Sequence, residues 1–271
     1  MKKALFDLSY APYGERSRFD LYLPEDSAQP APLVLAVHGG GWRGGSRGRF
    51  RWMAEGLTHL GFALALPTYR FWPEWRCPAP MEDIQRVIRL LRRRAPEYGL
   101  DPDRFAGIGS SAGGHLVSYA ALADAHDDSD PDLARFSTRL QCVIDCCGPV
   151  DLPAMMASAS APIVEGFMGQ SFAEAEEDYR HASPHHLVAA APPPFLIIHG
   201  VLDTGVASGQ VPLTQAERFA ERLAEAGGDV TLLRLPDAGH GFVGNVAHRP
   251  ALWTAAARFL RQHLRPRPAR A

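Results

Sequence analysis

Short apolar runs recur along the chain, with segments of helical spacing between them. F-D-L-Y-L (Phe19 to Leu23) alternates apolar and polar residues, which predicts a strand with one wet face. L-V-L-A-V-H (Leu33 to His38) is apolar throughout, which predicts a strand buried on both faces. F-A-L-A-L (62–66), R-F-A-G-I-G (104–109), Q-C-V-I-D-C-C (141–147), F-L-I-I-H (195–199) and V-T-L-L-R-L (230–235) extend the series. Met81, Ile84, Val87, Ile88 and Leu91 fall at helical spacing, and Pro96 closes that segment. Leu116, Ala120 and Ala123 predict a second helix. Phe219, Leu223 and Ala226 predict a third, stopped by Gly227-Gly228. Residues 251–264 predict the last one, and the tail at about 265–271 is expected to be disordered.

Strands alternating with helices predict an α/β fold: a mostly parallel central sheet with helices on both faces, in one domain over 1–271. Such sheets hold ligands beyond the carboxyl ends of their strands, so candidate residues should follow strands directly. The stretch at about 151–184 breaks the alternation and is expected to be a small cap insertion above the sheet.

Composition narrows the class. The chain has 271 residues, 46% of them hydrophobic, enough for a sizeable core. Its formal net charge of −2 argues against a nucleic-acid partner. M-K-K-A-L-F-D begins like a leader, but Asp7 interrupts the apolar run, so neither a signal peptide nor a membrane span is expected and the location is read as cytoplasmic. Cys77, Cys142, Cys146 and Cys147 form no C-x-x-C pair and have no matched histidines. They read as reduced, buried thiols, with no metal site expected.

Candidate chemistry centres on G-I-G-S-S-A-G-G-H-L (107–116). The pattern G-x-S-x-G falls on Gly109, Ser111 and Gly113, between a predicted strand and a predicted helix. A turn that sharp needs glycine two places either side of a nucleophile. Centring on Ser110 would put Ile108 and Ala112 there instead. H-G-G-G-W (38–42) follows another buried strand, and its glycines let backbone N–H groups face an anion. Gly40, Gly41 and Ala112 are the candidate oxyanion donors. A serine also needs a base, and the base an orienting acid. His240, in D-A-G-H-G-F, follows the strand at 230–235. Asp203 follows the strand at 195–199, with Asp151 the alternative acid.

These segments together resemble α/β-hydrolase esterases of the group related to hormone-sensitive lipase and the BD-FAE-like carboxylesterases. The resemblance runs through F-D-L-Y-L-P, H-G-G-G-W-R-G-G-S, Y-R, P-A-P-M-E-D, D-P-D-R-F, G-S-S-A-G-G-H-L, A-S-P-H, P-P-P-F-L-I-I-H-G and G-H-G-F, in that order. It implies ester hydrolysis through an acyl-serine, without metal or organic cofactor, with Ser111, Asp203 and His240 as the triad. Two departures stand out. G-V-A-S-G-Q (205–210) separates the acid from a Val-Pro pair that usually follows it closely. Ser110 stands where the hormone-sensitive-lipase branch carries Asp. The expected partner is a small ester with short-to-medium acyl or aryl groups, in a pocket lined by Trp42, Phe71, Trp72, Phe167 and Phe242. An arylformamidase is the alternative, ahead of a serine peptidase or a non-catalytic binding protein. A homodimer is compatible with the sequence.

Overall fold

Alternating side chains on the central strands feed two apolar cores, one on each face of a single sheet. The computed structural model describes residues 3–25, 29–123 and 130–264, so the tail expected to be disordered lies outside the described residues. The strands are β1 (Lys3–Ser9), β2 (Arg18–Leu23), β3 (Ala31–Val37), β4 (Ala63–Pro67), β5 (Leu100–Ser110), β6 (Cys142–Cys146), β7 (Phe195–Gly200) and β8 (Val230–Leu235). They pair in the order β1-β2-β4-β3-β5-β6-β7-β8. β1, β2 and β4 are joined antiparallel, and every other pairing is parallel.

On β3, Leu33, Leu35 and Val37 enter one core, while Val34 and Ala36 enter the other. Phe195 and Ile197 against Leu196 and Ile198 repeat this on β7. The period of two is that of any pleated strand, and both faces are apolar because helices cover both. Helices Ala79–Arg93, Ala112–Leu122 and Leu213–Glu225 close the first core. Ala54–His59 and Arg249–His263 close the second. Each fully buried Leu or Ile in these layers stabilises the fold by roughly 1.5–3 kcal/mol.

Strand β1 was not expected from the sequence. It is a half-exposed edge strand, and its register shifts between Leu5 and Leu8 around Asp7, whose φ is +56°. That bulge destroys the alternation by which a strand is recognised. The stretch at 151–184 carries three short helices, Leu152–Met155, Ala161–Met168 and Glu176–His181. Among the described residues, no helix is long and apolar enough to cross a membrane.

Glycines on β5 bring one helix unusually close. Gly107 and Gly109 face the helix Ala112–Leu122, and a Cβ on Gly107 would lie 3.0 Å from Val117 Cβ. The parallel strands β3, β5, β6, β7 and β8 end on the same side of the sheet, and the candidate residues are found there.

Candidate active site

Ser111 sits at the turn from β5 into the helix Ala112–Leu122 with φ +55° and ψ −124°, a conformation costly for any residue with a side chain. Its surroundings hold it there. Its N–H donates to the Cys146 carbonyl at 2.8 Å, and its carbonyl accepts from His115 N–H at 3.0 Å. A Cβ on Gly109 would overlap the Gly113 carbonyl, and one on Gly113 would overlap the Val37 carbonyl. Both flanking glycines are therefore required by contact. Ser110, one place earlier, is the last residue of β5.

The loop after β8 brings His240 to this turn. His240 Nε2 lies 2.7 Å from Ser111 Oγ, and His240 Nδ1 lies 2.6 Å from Asp203 Oδ2. These distances link hydroxyl, imidazole and carboxylate in one chain of hydrogen bonds. The carboxylate is fully buried, while the imidazole is partly open to the cavity. Burial alone would push the Asp203 carboxyl up, but hydrogen bonds from His199 and His240 outweigh it and hold it below its usual range. Asp203 therefore stays ionised at neutral pH and keeps the proton on Nδ1, leaving Nε2 free to accept one from serine.

His199, at the end of β7, does more than pack against its neighbours. Its Nε2 lies 2.9 Å from the Val211 carbonyl and 3.3 Å from Asp203 Oδ2, so one N–H is shared between them. Its place at the end of β7, four residues before the acid, was the available signal. The extended loop after Asp203 also returns to it. Val211 N–H donates to Asp203 Oδ1 at 2.9 Å, and Leu213 N–H donates to the Asp203 carbonyl at 3.1 Å. Asp151 is elsewhere: it caps the helix Leu152–Met155 through Ala154 N–H at 3.2 Å and lies 3.4 Å from His186 Nε2.

The glycine loop after β3 folds over the same spot. Gly40 and Gly41 have φ of +133° and +59°, and Trp42 follows at +54°. Among the described residues, the N–H groups of Gly40, Gly41 and Ala112 donate to no protein acceptor. They line the cavity together with Ser111. The loop is held from behind. Trp72 Nε1–H donates to the Gly41 carbonyl at 2.9 Å, and Trp42 Nε1–H donates to His115 Nδ1 at 3.3 Å. His38 stacks on Tyr69 at 4.6 Å, and burial lowers its pKa to about 4, so it is neutral framework.

The cavity above Ser111 measures about 350 Å³. Of the five aromatic residues expected to line it, only Trp42 does so. Phe167 is fully buried beneath, stacked on Trp42 at 4.3 Å. Phe71 packs under Arg16 and beside His38, and Phe242 belongs to the second core. Trp72 acts through Gly41. These rings carry too much apolar area to be left on a rim, so they went under it. Met155, Ile163, Val164, Val211 and Val243 form the apolar wall instead.

The cysteines are free thiols, three of them buried. Cys147 Sγ, a ring nitrogen of His240 and a carboxylate oxygen of Asp203 lie within 4.8 Å of one another. Burial raises the Cys147 thiol well above its usual range, which disfavours the thiolate that a metal would need. His181 pairs with Glu177 on an exposed helix face, away from this site.

Comparison with known proteins agrees with this architecture. Esterase LipC of Mycobacterium tuberculosis is 32% identical over 239 residues, covering 83% of this chain and 58% of its own length. Esterase LipQ of the same organism is 30% identical, covering 87% and 56%. The chain thus spans a little over half the length of these curated relatives. Among solved structures, the apo form of Thermogutta terrifontis esterase 2 superposes with a TM-score of 0.79 at 25% identity, over 98% of this chain and 97% of that one. The fold is that of the α/β-hydrolases. The BD-FAE family model matches residues 19–223, from β2 through the helix that follows Asp203, and this chain belongs to the BD-FAE family.

Proposed function

We propose that this chain is a serine carboxylesterase acting on short-to-medium acyl or aryl esters. The observation that carries the reading is the relay from Ser111 through His240 to Asp203, with bonds of 2.7 and 2.6 Å, at the floor of an open cavity. The esterase names of its relatives support it.

In this reading His240 Nε2 takes the Ser111 proton as Oγ attacks the acyl carbon. The oxygen that becomes negative settles on the N–H groups of Gly40, Gly41 and Ala112, which donate to no acceptor among the described residues. One such donor is typically worth roughly 2.7–4 kcal/mol in the transition state. His240 then protonates the departing alcohol and leaves an acyl-serine. Water, deprotonated by His240, attacks that ester; His240 then returns the proton to Ser111 Oγ as the acid leaves, restoring the free hydroxyl. Asp203, held ionised, stabilises the imidazolium at each step.

The apolar wall of Met155, Ile163 and Val164 supports an acyl site, and it belongs to the stretch at 151–184. In this reading that insertion serves as a small cap over the acyl site. The test is a p-nitrophenyl ester series with Ser111→Ala and Ser110→Ala. Ser111→Ala should abolish turnover and labelling by a fluorophosphonate, while Ser110→Ala retains both. Turnover near wild type in a folded Ser111→Ala protein would overturn the reading.

A further inference from the structure

Two arginines, Arg43 and Arg49, line the cavity above Ser111, and its lining contains no carboxylate. The chain as a whole carries a formal net charge of −2. Both residues are exposed, so the mouth of the cavity is locally positive on a chain of slightly negative balance, and that field favours the approach of an anion.

Arginines nearby show what this sequence does with a guanidinium that serves the fold. Arg47 pairs with Asp7 and reaches Asp20 Oδ1 at 3.2 Å. Arg51 reaches Asp20 Oδ2 at 3.4 Å. Arg70 is held by Asp83 and Glu82. Arg49 lies between Arg47 and Arg51 on the same 3-10 turn (Arg47–Met53), but it lines the cavity rather than meeting Asp20. Its Nη1 stands against Gly244, on the loop that follows His240. Among the described residues its side chain has neither carboxylate nor hydrogen-bond partner. Arg43 stands beside Gly41, with its guanidinium 5.6 Å from the Trp72 ring.

The side of the cavity matters. His240 hands its proton to the leaving alcohol, so groups on the loop after His240 face the alcohol part of an ester. A guanidinium there presents a planar fork of donors, which fits a carboxylate with two parallel hydrogen bonds. Resting on the esterase reading above, we infer that Arg49 binds a carboxylate on the alcohol part of the substrate, so that the preferred substrates are acyl esters of hydroxy acids, sugar acids included. Arg43 adds to the field that draws such an anion in.

The experiment compares 3- and 4-acetoxybenzoate with the corresponding acetoxybenzamides. Each pair shares its acyl group and shape and differs in charge. The ratio of kcat/KM, carboxylate over amide, is expected to exceed one by about fivefold or more for one isomer at low salt, and to fall as salt screens the charge. Arg49→Gln should bring that ratio to one or below, chiefly through KM, and Arg49→Lys should restore part of it. A wild-type ratio at or below one for both isomers, or a ratio unchanged in Arg49→Gln, overturns the inference. Hydrolysis of the amides without preference for the carboxylates removes the anion site alone. Hydrolysis of neither removes the esterase reading with it.

Discussion

The Val211 N–H donates to Asp203 Oδ1 at 2.9 Å although the two residues are eight positions apart. The other oxygen, Oδ2, faces His240 Nδ1 at 2.6 Å and His199 Nε2 at 3.3 Å. Both oxygens thus face donors, and neither position tolerates an amide NH2.

Asp203→Asn should therefore do more than remove a charge. Its NH2 must oppose Val211 or the imidazoles, and His240 loses the partner that fixes its tautomer. Loss of about 10³- to 10⁴-fold in kcat is expected, with the fold kept. Asp151→Asn, in a helix cap remote from His240, should stay within about twofold of wild type. Steady-state kinetics on p-nitrophenyl butyrate separates the two, and comparable losses would refute the assignment of the acid.

Ile163 lines the cavity and also stands 3.0 Å from where a Cβ on Gly41 would be. Ile163→Ala should deepen the acyl site. The acyl-length optimum in a p-nitrophenyl ester series is expected to move to longer chains, at a stability cost of roughly 2–5 kcal/mol. An unchanged optimum would mean that acyl groups lie elsewhere.

Gly113→Ala would drive a methyl into the Val37 carbonyl, between a strand and the nucleophile helix. Neither can yield without moving the sheet. A loss of more than about 3 kcal/mol, or failure to fold, is expected on denaturant titration. Gly44→Ala is the control: nothing lies within 4 Å of its Cβ, and a change within about 1 kcal/mol is expected.

Asp145 is buried on β6, and burial pushes its carboxyl up to about 6, against a Gly148 N–H bond of 2.9 Å and the charge of His199. A carboxyl whose pKa is raised on folding binds its proton more tightly in the folded state. Stability therefore falls as pH rises from about 4 to about 6, and the full cost persists above that. Asp145→Asn keeps an acceptor for Gly148 and removes the cost. It should stabilise the protein by about 2 kcal/mol more at pH 8 than at pH 4.5. Equal effects at both pH values in urea titrations would rule this out.

How much was legible follows from physical range. The strands β2 to β8 announced themselves because burial on a pleat is local and periodic. The turn at Ser111 was legible because steric demand fixes Gly109 and Gly113 in sequence. β1 was not, because Asp7 breaks its period. His199 was hidden because its partner lies on a loop that must first leave and return. The aromatic pocket failed for a related reason: proximity to the site along the chain says nothing about depth, and Phe71, Phe167 and Phe242 satisfied their apolar area below the rim. Arg49 carries no motif at all. Only the acids taken by Arg47 and Arg51 make its lack of one visible.

One ring joins three parts of the site. His115 Nδ1 accepts from Trp42 on the glycine loop, and its Nε2–H donates to the Ala182 carbonyl at 2.8 Å, at the end of the inserted stretch. His115 itself belongs to the helix that begins after Ser111. Only the neutral tautomer with its proton on Nε2 can make both bonds. Burial lowers its pKa to about 4, below that of the unfolded chain, so the folded form loses ground as pH drops from about 6.5 towards 4. A second proton would set one N–H against another and release loop, helix and insertion from a common pivot. The acid limit of this protein is thus built into the joinery around the cavity, not only into the residues that react there.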